Sequence, residues 1–435
     1  MTKQLVCGLF GFGNVGQGVH NILEKNKELL LNRCGYSIVI KTIVVRSPQK
    51  YKQFDLGAIN ISSDPNDILN DSEIDIVIEL MGGEQPAYDY IMKSLESKKH
   101  VVTANKEVVA KHKKIFFETA KQNSVMLYFE AAIAGAIPLV RTLKVGYSAN
   151  QFESVAGIFN GTTNFILTKI HEENKPFQEA LKEAQDLGFA EADPTMDING
   201  MDAAYKLVIL AAVAFKADIN VNQFLCEGIE QVDLKDVEYA KQLGYTIKLL
   251  ASATTNEKGE CALLVGPAML ENSHSLASVR NEFNAIALQG DAMDDAMLYG
   301  KGAGPLPTGS AVLSDVMSIA FDMDANHSGL SRRHVDSNLS ALDLIPIEQT
   351  KSSFYIRLTV KDEKGVLEKL SHEFSDCDIS ISTIRQDSQS DGKAEVVIVT
   401  HQCLTQTVNE LKAQLLELPF VTDLNANYRV GLTQL

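Results

Sequence analysis

Residues 4–16 read QLVCGLFGFGNVG, an apolar run of strand character that leads directly into three glycines with G-x-G-x-x-G spacing. A helical period follows to about Leu31. In such a strand–loop–helix unit the first glycine permits a tight turn, the second lets the backbone approach a pyrophosphate, and the third allows close packing of helix on strand. The sequence therefore predicts a dinucleotide site, with a merely glycine-rich turn as the alternative. Its predicted residues are Gly11, Phe12, Gly13, Asn14, Val15 and Gly16.

The pattern downstream of this motif predicts an α/β fold. Strand-like runs at 37–45, 74–80 and 125–130 alternate with helical stretches, one of them near 87–96, which is typical of a doubly wound parallel sheet. From about 146 to 300 strand-like runs at 152–159, 262–267 and 285–289 mix with long helices, so we expect an α+β domain with its own sheet. A β-α-β-β-α-β order near the end predicts a ferredoxin-like domain. The predicted boundaries are 1–135 for a Rossmann nucleotide-binding domain (completed by a helix at 310–322), 136–309 for the second domain, 323–352 for a polar linker and 353–430 for the last domain.

Composition and charge exclude several classes of protein. The 435 residues carry 40 basic and 56 acidic side chains, a net charge of −16, which argues against binding to nucleic acid or an anionic membrane surface. The longest apolar run, 207–215, is half a membrane span, and the first residues lack the layout of a signal peptide. The six cysteines lie far apart with no C-x-x-C pair, as expected of free thiols in a reducing compartment. We therefore expect a cytoplasmic protein with no nucleic-acid and no membrane partner.

The end of the second predicted strand bears on the choice of nucleotide. NAD sites usually place Asp or Glu there to bind the ribose 2′-hydroxyl, but this strand ends Val44-Val45-Arg46-Ser47. A guanidinium fork and a hydroxyl suit a 2′-phosphate. The sequence therefore predicts NADP(H) in preference to NAD(H), with a solvated strand-end arginine as the alternative.

Two lysines have the context of catalytic groups. Lys106, in TANKE (103–107), follows a strand and opens a helix, so it would lie at the carboxyl edge of the sheet unless it is only a solvated helix-start lysine. Lys206 ends the segment GFAEADPTMDINGMDAAYK (188–206) and lies four residues after Asp202, on the same face of an apolar helix. A buried lysine needs a partner, and Asp202 is in reach. The alternative is a structural ion pair with no catalytic role. A metal site is a less favoured alternative, because the carboxylate spacing is not that of a calcium loop.

Two further observations limit which residues could contact the cofactor or transfer a proton. The glycine- and proline-rich stretch 302–310 suits either a wall against a nicotinamide ring or an interdomain hinge. None of the nine histidines has a Ser/Asp or Cys partner at motif spacing, so hydrolysis by such a triad or dyad is not supported. Proton transfer then falls to a lysine or a carboxylate.

Taken together, these segments resemble homoserine dehydrogenase. The resemblance rests on GFGNVG, TANKE, EAAIAGAIP (130–138), the 188–206 segment and GKGAGPLPTGSA (300–311), and spans roughly residues 1–325. The C-terminal unit resembles an ACT regulatory domain, including DEKGVL (362–367) at its first strand–helix turn. Because no aspartate-kinase segment precedes Gly11, we expect the single-function form.

The resemblance also implies roles for single residues. Lys206 matches the proton-donating lysine, and Lys106 matches a second active-site lysine that also contacts the cofactor. Glu191 and Asp202 match residues that hold the substrate. Positions near the nicotinamide end of the cofactor are matched by Gly188, Glu191 and Gly304. The family's site for a monovalent cation (Na⁺ or K⁺) is matched by Glu130 and the backbone carbonyls of Ile133, Gly135 and Ile137.

The implied activity is the NADPH-dependent reduction of L-aspartate 4-semialdehyde to L-homoserine, and its reverse, in threonine, methionine and isoleucine biosynthesis. The resemblance also implies feedback by L-threonine bound between ACT domains of neighbouring subunits, hence a homodimer or homotetramer dimerising through the middle domain. One rival is a sugar dehydrogenase with an E-K-P motif, which the A-N-K-E here lacks. The other is a non-catalytic regulator that senses NADP and an amino acid, which would need neither lysine.

Overall fold

The computed structural model describes residues 3–256, 258–327, 342–389 and 391–434. These residues fall into two compact units. Unit 1 comprises Met1–Ala149, Val208–Asn220 and Gly300–Ala341, and unit 2 comprises Asn150–Leu207, Val221–Tyr299 and Leu342–Leu435. Part of the polar linker predicted at 323–352 lies outside the described residues, since 328–341 are not among them. In the described ranges no helix is both long and apolar enough to cross a bilayer.

The strands and helices are numbered in chain order. The strands are β1 (Lys3–Phe10), β2 (Tyr36–Val44), β3 (Asn60–Ser62), β4 (Ile76–Glu79), β5 (His100–Thr103), β6 (Leu127–Tyr128), β7 (Phe152–Ile158), β8 (Leu225–Cys226), β9 (Tyr245–Thr255), β10 (Cys261–Glu271), β11 (Phe283–Gly290), β12 (Asp294–Lys301), β13 (Lys351–Lys361), β14 (Ile381–Ser388), β15 (Lys393–Thr400), β16 (Cys403–Leu404) and β17 (Val421–Gln434). The helices are α1 (Asn14–Lys25), α2 (Lys27–Cys34), α3 (Asn66–Leu69), α4 (Ala87–Glu96), α5 (Lys106–Gln122), α6 (Leu139–Arg141), α7 (Gly161–Glu173), α8 (Phe177–Asp186), α9 (Thr195–Ile198), α10 (Met201–Ala214), α11 (Leu234–Gln242), α12 (Pro305–His327), α13 (Val366–Asp376) and α14 (Thr405–Glu417).

Unit 1 contains a parallel sheet with the strand order β3-β2-β1-β4-β5-β6. This order is that of doubly wound dinucleotide-binding domains, so the predicted N-terminal fold is confirmed. Ligands of such sheets bind outside the carboxyl ends of the strands, next to the point where the order reverses between β1 and β4.

A long helix from much later in the chain packs in the core of unit 1. The sequence places a helix at 310–322, and α12 runs further in both directions. Its Val312, Val316 and Ile319 are buried at i, i+4 and i+7 in the same core as β1 and β2. Helix α1 lies so close to α12 that a Cβ on Gly18 would collide with the Pro305 carbonyl.

Unit 2 contains one mixed sheet in the order β12-β11-β7-β9-β10-β17-β13-β15-β14, with β8 added to β10 and β16 to β13. Strands at the positions of β7, β10 and β11 were expected from the sequence, whereas β9 was not. Eight of the eleven residues of β9 are buried, so it lacks the polar–apolar alternation by which a half-buried strand is recognised.

The C-terminal part of unit 2 has the predicted β-α-β-β-α-β order, and its strands are arranged β17-β13-β15-β14, as in ferredoxin-like folds. Its core is formed by apolar residues of these strands and of α13 and α14. The sequence did not predict that this sheet continues into the middle of the chain. Strand β17 runs parallel to β10, with Ala268 opposite Arg429 and Met269 opposite Val430.

A buried polar network also links α11 to the C-terminal strands. Arg357 on β13 is only 2% exposed. Its Nε lies 2.7 Å from Oδ1 of Asp236 and its Nη1 lies 3.0 Å from Glu395. The hydroxyls of Tyr355 and Tyr428 donate to the same Asp236 carboxylate at 3.0 and 3.1 Å. The fully buried carboxylate of Asp236 is therefore surrounded by donors from two strands of the C-terminal part.

Candidate active site

The glycines after β1 adopt the shape that a pyrophosphate site requires. Gly11 has φ +89°, and a Cβ there would lie 2.9 Å from the Leu80 carbonyl oxygen. A Cβ on Gly16 would lie 2.7 Å from the Gly11 carbonyl oxygen. A larger residue at either position would force the loop away from β4 or from α1. The loop therefore stays tight against the end of β1, as the sequence predicted.

The first turn of α1 is open to an anion. Its N-cap is Gly13, which provides no side-chain hydrogen bond to the helix, and both Gly13 and Asn14 are exposed. The first N–H groups of a helix have no partner within the helix, and together with the helix dipole they bind phosphate groups. The residues present here therefore fit a dinucleotide at this loop.

Arg46 and Ser47 lie just past the end of β2, and both are exposed. The backbone N–H of Val45 donates to the Ser62 carbonyl oxygen at 2.9 Å, which ties this strand end to β3. Residues 46–52 read RSPQKYK, three basic side chains without a carboxylate.

The segment that presents Lys106 is held by a chain of hydrogen bonds. Asn105 caps α5, accepting from the Val108 N–H at 3.2 Å, and its amide donates to the Gly83 carbonyl oxygen at 2.8 Å. The Thr103 hydroxyl accepts from the Asn105 N–H and donates to Glu79 at 2.6 Å. Lys106 itself opens the helix and is half-buried.

Glu79, at the end of β4, is fully buried beneath this segment. Burial raises the pKa of Glu79 to about 7, although hydrogen bonds from Thr103 and from the Met81 N–H oppose the shift. No sequence motif described above includes this residue. The available signal was a carboxylate ending the apolar run IDIVIEL (74–80), at the sheet edge where ligands bind.

In unit 2, Lys206 and Asp202 form a buried pair at the start of α10. Lys206 is 9% exposed and Asp202 is 4% exposed. The Lys206 ammonium donates to Asp202 Oδ2 at 2.8 Å and to the Phe159 carbonyl oxygen at 2.7 Å. These acceptors take two of its three N–H bonds, so the third can donate to a substrate oxygen.

Two asparagines outside the predicted set of site residues belong to the same cluster as Lys206 and Asp202. The Asn160 amide donates to Asp197 Oδ1 at 2.7 Å and to Asp202 Oδ2 at 2.8 Å. The Asn284 amide donates to the Phe159 carbonyl oxygen at 2.8 Å. For Asn160 the available signal was NGTTN (160–164), an asparagine between a strand and a helix.

Glu191 and Gly188 lie on the exposed loop after α8. Gly188 has φ +76°, and the Gln185 side chain donates to the Glu191 carbonyl oxygen at 3.2 Å. Among the described residues no hydrogen bond joins the Glu191 carboxylate to Asp202 or Lys206. The structure thus brings two of the predicted unit 2 side chains together and leaves the third on a surface loop.

The residues expected to hold a cation belong to unit 1. The buried Glu130 carboxylate accepts from the backbone N–H groups of Val140 and Arg141 at 2.7 and 2.9 Å. Gly135 has φ +53°, and a Cβ there would lie 2.5 Å from the Gly302 carbonyl oxygen. The Ile137 carbonyl oxygen accepts from the Leu139 N–H at 2.8 Å. Within the described ranges, no group of three or more His, Cys, Asp or Glu residues could hold a metal.

Gly304 lies immediately before α12, with φ +120°. Its carbonyl oxygen accepts from the Thr308 N–H at 3.1 Å, so it caps the first turn of the helix. The stretch 302–310 is thus largely the beginning of a helix.

Family models match the regions of the chain that contain the nucleotide loop and the lysine–aspartate segment. A family model described as "Homoserine dehydrogenase, NAD binding domain" matches residues 11–130, and one described as "Homoserine dehydrogenase" matches residues 138–317. The homoserine dehydrogenase of Bacillus subtilis (strain 168) is 38% identical over 432 residues, which cover 98% of each chain. The chain belongs to the homoserine dehydrogenase family.

Solved homoserine dehydrogenases share the fold over nearly the whole chain. The enzyme from Thiobacillus denitrificans, 37% identical, matches with a TM-score of 0.93, covering 99% of this chain and 98% of that one. The enzyme from S. aureus, 36% identical, matches with a TM-score of 0.78 and covers 99% and 100%. The Helicobacter pylori homoserine dehydrogenase is 40% identical over 403 residues, 92% of this chain and 93% of its own. The chain is thus an oxidoreductase of the homoserine dehydrogenase type. Its NAD-binding domain, residues 11–130, contains the parallel sheet of unit 1.

Proposed function

We propose that this homoserine dehydrogenase reduces L-aspartate 4-semialdehyde to L-homoserine with NADPH, and catalyses the reverse reaction, with Lys206 as the proton donor. The observation that carries the proposal is the Lys206 ammonium, buried and oriented by Asp202 and the Phe159 carbonyl oxygen. An ammonium held by two fixed acceptors can keep its remaining N–H bond in one direction.

The nicotinamide, when bound, supplies a hydride to the aldehyde carbon. Negative charge then develops on the aldehyde oxygen, and a positioned ammonium stabilises it and transfers a proton to it. Asp202 and Glu191 supply carboxylates for the substrate's amino group. The buried position of the Lys206–Asp202 pair keeps water away, which strengthens the electrostatic interaction.

Lys106 is proposed as the second active-site lysine and as a cofactor contact. Its support is the rigid turn before it, in which Asn105, Thr103 and Glu79 are hydrogen-bonded in series. A lysine at the start of a fixed helix is restricted in the directions it can reach, as an orienting group must be. We further propose Gly188, Glu191 and Gly304 as contacts to the nicotinamide end of the cofactor.

We propose that the enzyme prefers NADPH to NADH because Arg46 binds the 2′-phosphate. The support is an exposed arginine and a hydroxyl at the end of β2, in a segment with two more basic residues and no acid. A 2′-phosphate adds a charge that such a segment attracts, whereas a 2′-hydroxyl offers it little.

A monovalent cation is proposed next to Glu130, with the carbonyl oxygens of Ile133, Gly135 and Ile137. The donor set contains only oxygen, which suits a hard cation. Burial and repulsion from the Glu130 carboxylate raise the pKa of the neighbouring buried Asp315, and a bound cation would relieve that repulsion. The only cation that the described residues place on Asp315 is Arg141, at 3.4 Å.

The C-terminal ferredoxin-like part is proposed to be an ACT domain that binds L-threonine and lowers activity. We also propose a homodimer or homotetramer. Light scattering on the purified chain distinguishes a monomer from either assembly.

A rate measurement tests the proposed reaction directly. The chain is mixed with NADPH and L-aspartate 4-semialdehyde, NADPH absorbance is followed, and the product is identified as homoserine by chromatography. Turnover that requires both compounds supports the proposal. NADPH binding without turnover would instead indicate the sensing regulator, and NADPH oxidation with a sugar-derived carbonyl would indicate the other dehydrogenase class.

A further inference from the structure

Asn160 lies at the junction between β7 and α7, next to the proposed proton donor. It is 5% exposed, and every polar atom of its side chain has a partner. Its Oδ1 accepts from the Thr163 N–H at 2.8 Å, which caps α7. Its two amide N–H bonds go to Asp197 and Asp202. The side chain therefore joins the start of α7 to two carboxylates on α9 and α10.

The bridge to Asp202 converges on the oxygen that binds the catalytic lysine. Asp202 Oδ2 accepts from both the Asn160 amide and the Lys206 ammonium, each at 2.8 Å. An aspartate can rotate about χ2, and an oxygen that accepts two fixed donors loses that freedom. Asn160 thus determines which way the Asp202 carboxylate faces Lys206.

The second acceptor of Lys206 depends on the same residue through the backbone. Lys206 donates to the carbonyl oxygen of Phe159, the residue immediately before Asn160. That carbonyl also receives the Asn284 amide, so its direction is set from two sides. Because Asn160 caps α7, its conformation fixes the peptide that presents this oxygen.

We propose that Asn160 is a positioning residue of the reduction, holding Asp202 and the Phe159 carbonyl in the geometry that directs the Lys206 ammonium. The inference rests on the proposed role of Lys206 as proton donor. An amide suits this position because each of its two N–H bonds can donate to one carboxylate, Asp197 or Asp202, whereas a carboxylate at residue 160 would repel both. The charged groups that face Asn160 are Asp197 from α9 and, from α10, Asp202 with Lys206; β11 contributes the neutral Asn284.

Two substitutions separate the bridge from the helix cap. Asn160→Ser and Asn160→Asp both keep a good N-cap residue on α7, but neither can donate to two carboxylates at once. We expect kcat to fall by about 10- to 100-fold in each, as for other lost orienting contacts, with the Kd for NADPH unchanged. Asn160→Asp also adds a third carboxylate, so the acid limb of its kcat profile moves to higher pH, whereas that of Asn160→Ser does not.

Asn164 provides the matched control. It is a buried asparagine on the same helix. Its amide donates to the carbonyl oxygens of Asn281 and Phe283 at 2.9 and 3.1 Å, and neither acceptor contacts Lys206 or Asp202 in the described hydrogen bonds. Asn164→Ser should lower Tm and leave kcat within about twofold of the unmodified chain.

The results decide between three outcomes. Loss of kcat in both Asn160 variants, without the same loss in Asn164→Ser, supports the inference. The inference is overturned if Asn160→Ser keeps a kcat within twofold of normal. It is also overturned if all three asparagine variants lose kcat in proportion to their loss of Tm. Lys206→Ala is measured in parallel: an active Lys206→Ala rejects the proposed proton donor, whereas an inactive Lys206→Ala beside a normal Asn160→Ser rejects only the role of Asn160.

Discussion

Arg357 donates two hydrogen bonds to Asp236, from Nε to Oδ1 at 2.7 Å and from Nη2 to Oδ2 at 3.2 Å, and both side chains are buried. Burial raises the pKa of Asp236, while the hydrogen bonds from Arg357 oppose this. The pair joins β13 of the C-terminal part to α11 of the middle region within one unit. That part is therefore attached by side-chain chemistry as well as by a shared sheet.

Arg357→Met should destabilise the protein strongly, because Asp236 would keep its buried charge without a cation, while Glu395 would retain only its ion pair with Lys235. Removing one partner of a buried pair typically costs about 3–5 kcal/mol. Chemical denaturation monitored by circular dichroism measures this cost. Arg385→Met is the control, since Arg385 is exposed on β14 beside Asp387 and should cost less than about 1 kcal/mol. Equal, small losses in the two variants would show that the Arg357 pair adds little to stability.

Glu79→Gln should stabilise the protein above neutral pH. The pKa of Glu79 is about 7 in the folded chain, above its ordinary value of 4.5, so folding favours the protonated acid. The stability of the unmodified chain is then greatest below pH 4.5, falls as pH rises from about 4.5 to 7, and stays reduced above 7. Because glutamine carries no charge, the variant should gain up to about 3 kcal/mol on the unmodified chain by pH 8.

Tm measured from pH 5 to 8 tests this prediction. Glu28→Gln, at an exposed position on α2, is the control and should follow the unmodified chain. A constant Tm difference across this range would mean that Glu79 does not titrate there.

Lys206→Ala should lower kcat by at least roughly 10²-fold, the lower range for a positioned general acid. The Kd for NADPH should change little, since the lysine is proposed to face the reacting oxygen. Steady-state rates and NADPH fluorescence titration provide the two readouts. Lys182→Ala, at an exposed position on α8, should leave both unchanged. A variant with near-normal kcat would make Lys206 a structural residue.

Arg46→Asp should weaken the binding of NADPH, because the new carboxylate and the 2′-phosphate repel each other. The readout is the ratio of kcat/KM for NADPH to kcat/KM for NADH, which should move toward NADH. Arg33→Asp makes the same change in charge at an exposed position on α2 and should leave the ratio unaltered. If Arg46→Asp leaves it unaltered as well, another group reads the phosphate.

Threonine should inhibit the full-length chain at millimolar concentration. Allosteric coupling of the usual size, about 1–3 kcal/mol, would change the apparent substrate affinity by roughly 5- to 150-fold. Initial rates are measured with increasing L-threonine, and L-valine serves as the control. Full activity in threonine would reject the regulatory role and leave the dehydrogenase assignment intact. Deleting the residues after 350 is a poor substitute, because it also removes Arg357 and β17.

The parts of the fold that follow from local pattern were predictable. Helix α4 spans Ala87–Glu96, as its period predicts, and the C-terminal strands and helices follow the predicted order. The spacing of Asp202 and Lys206 was enough to place both on one helix face. The β10–β17 pairing was not predictable, because a sequence pattern shows that a strand exists but not which distant strand it joins.

The missed site residues have a similar explanation. Asn160 resembles an ordinary helix cap in the sequence, and its bridge to Asp202 exists only once β7 and α10 are packed together. Glu79 resembles the last residue of an apolar strand, and its hydrogen bond to Thr103 requires that β4 and β5 be neighbours. In both cases the deciding hydrogen bond is made with a partner more than 20 residues away.

The pairing of β17 with β10 has a consequence for how the chain is made on the ribosome. One side of β10 pairs with β9, and the other is shared by β8 at Leu264 and Val265 and by β17 at Ala268 and Met269. Strand β17 follows β10 by roughly 150 residues, which at ordinary bacterial and eukaryotic elongation rates is a delay of roughly 8 to 30 s. During that interval the nascent chain carries an apolar strand with a partly unpaired edge, at Ala268 and Met269, and such edges are a known starting point for aggregation. Slowed translation between residues 271 and 421 should therefore reduce the yield of folded protein more than slowed translation before residue 150.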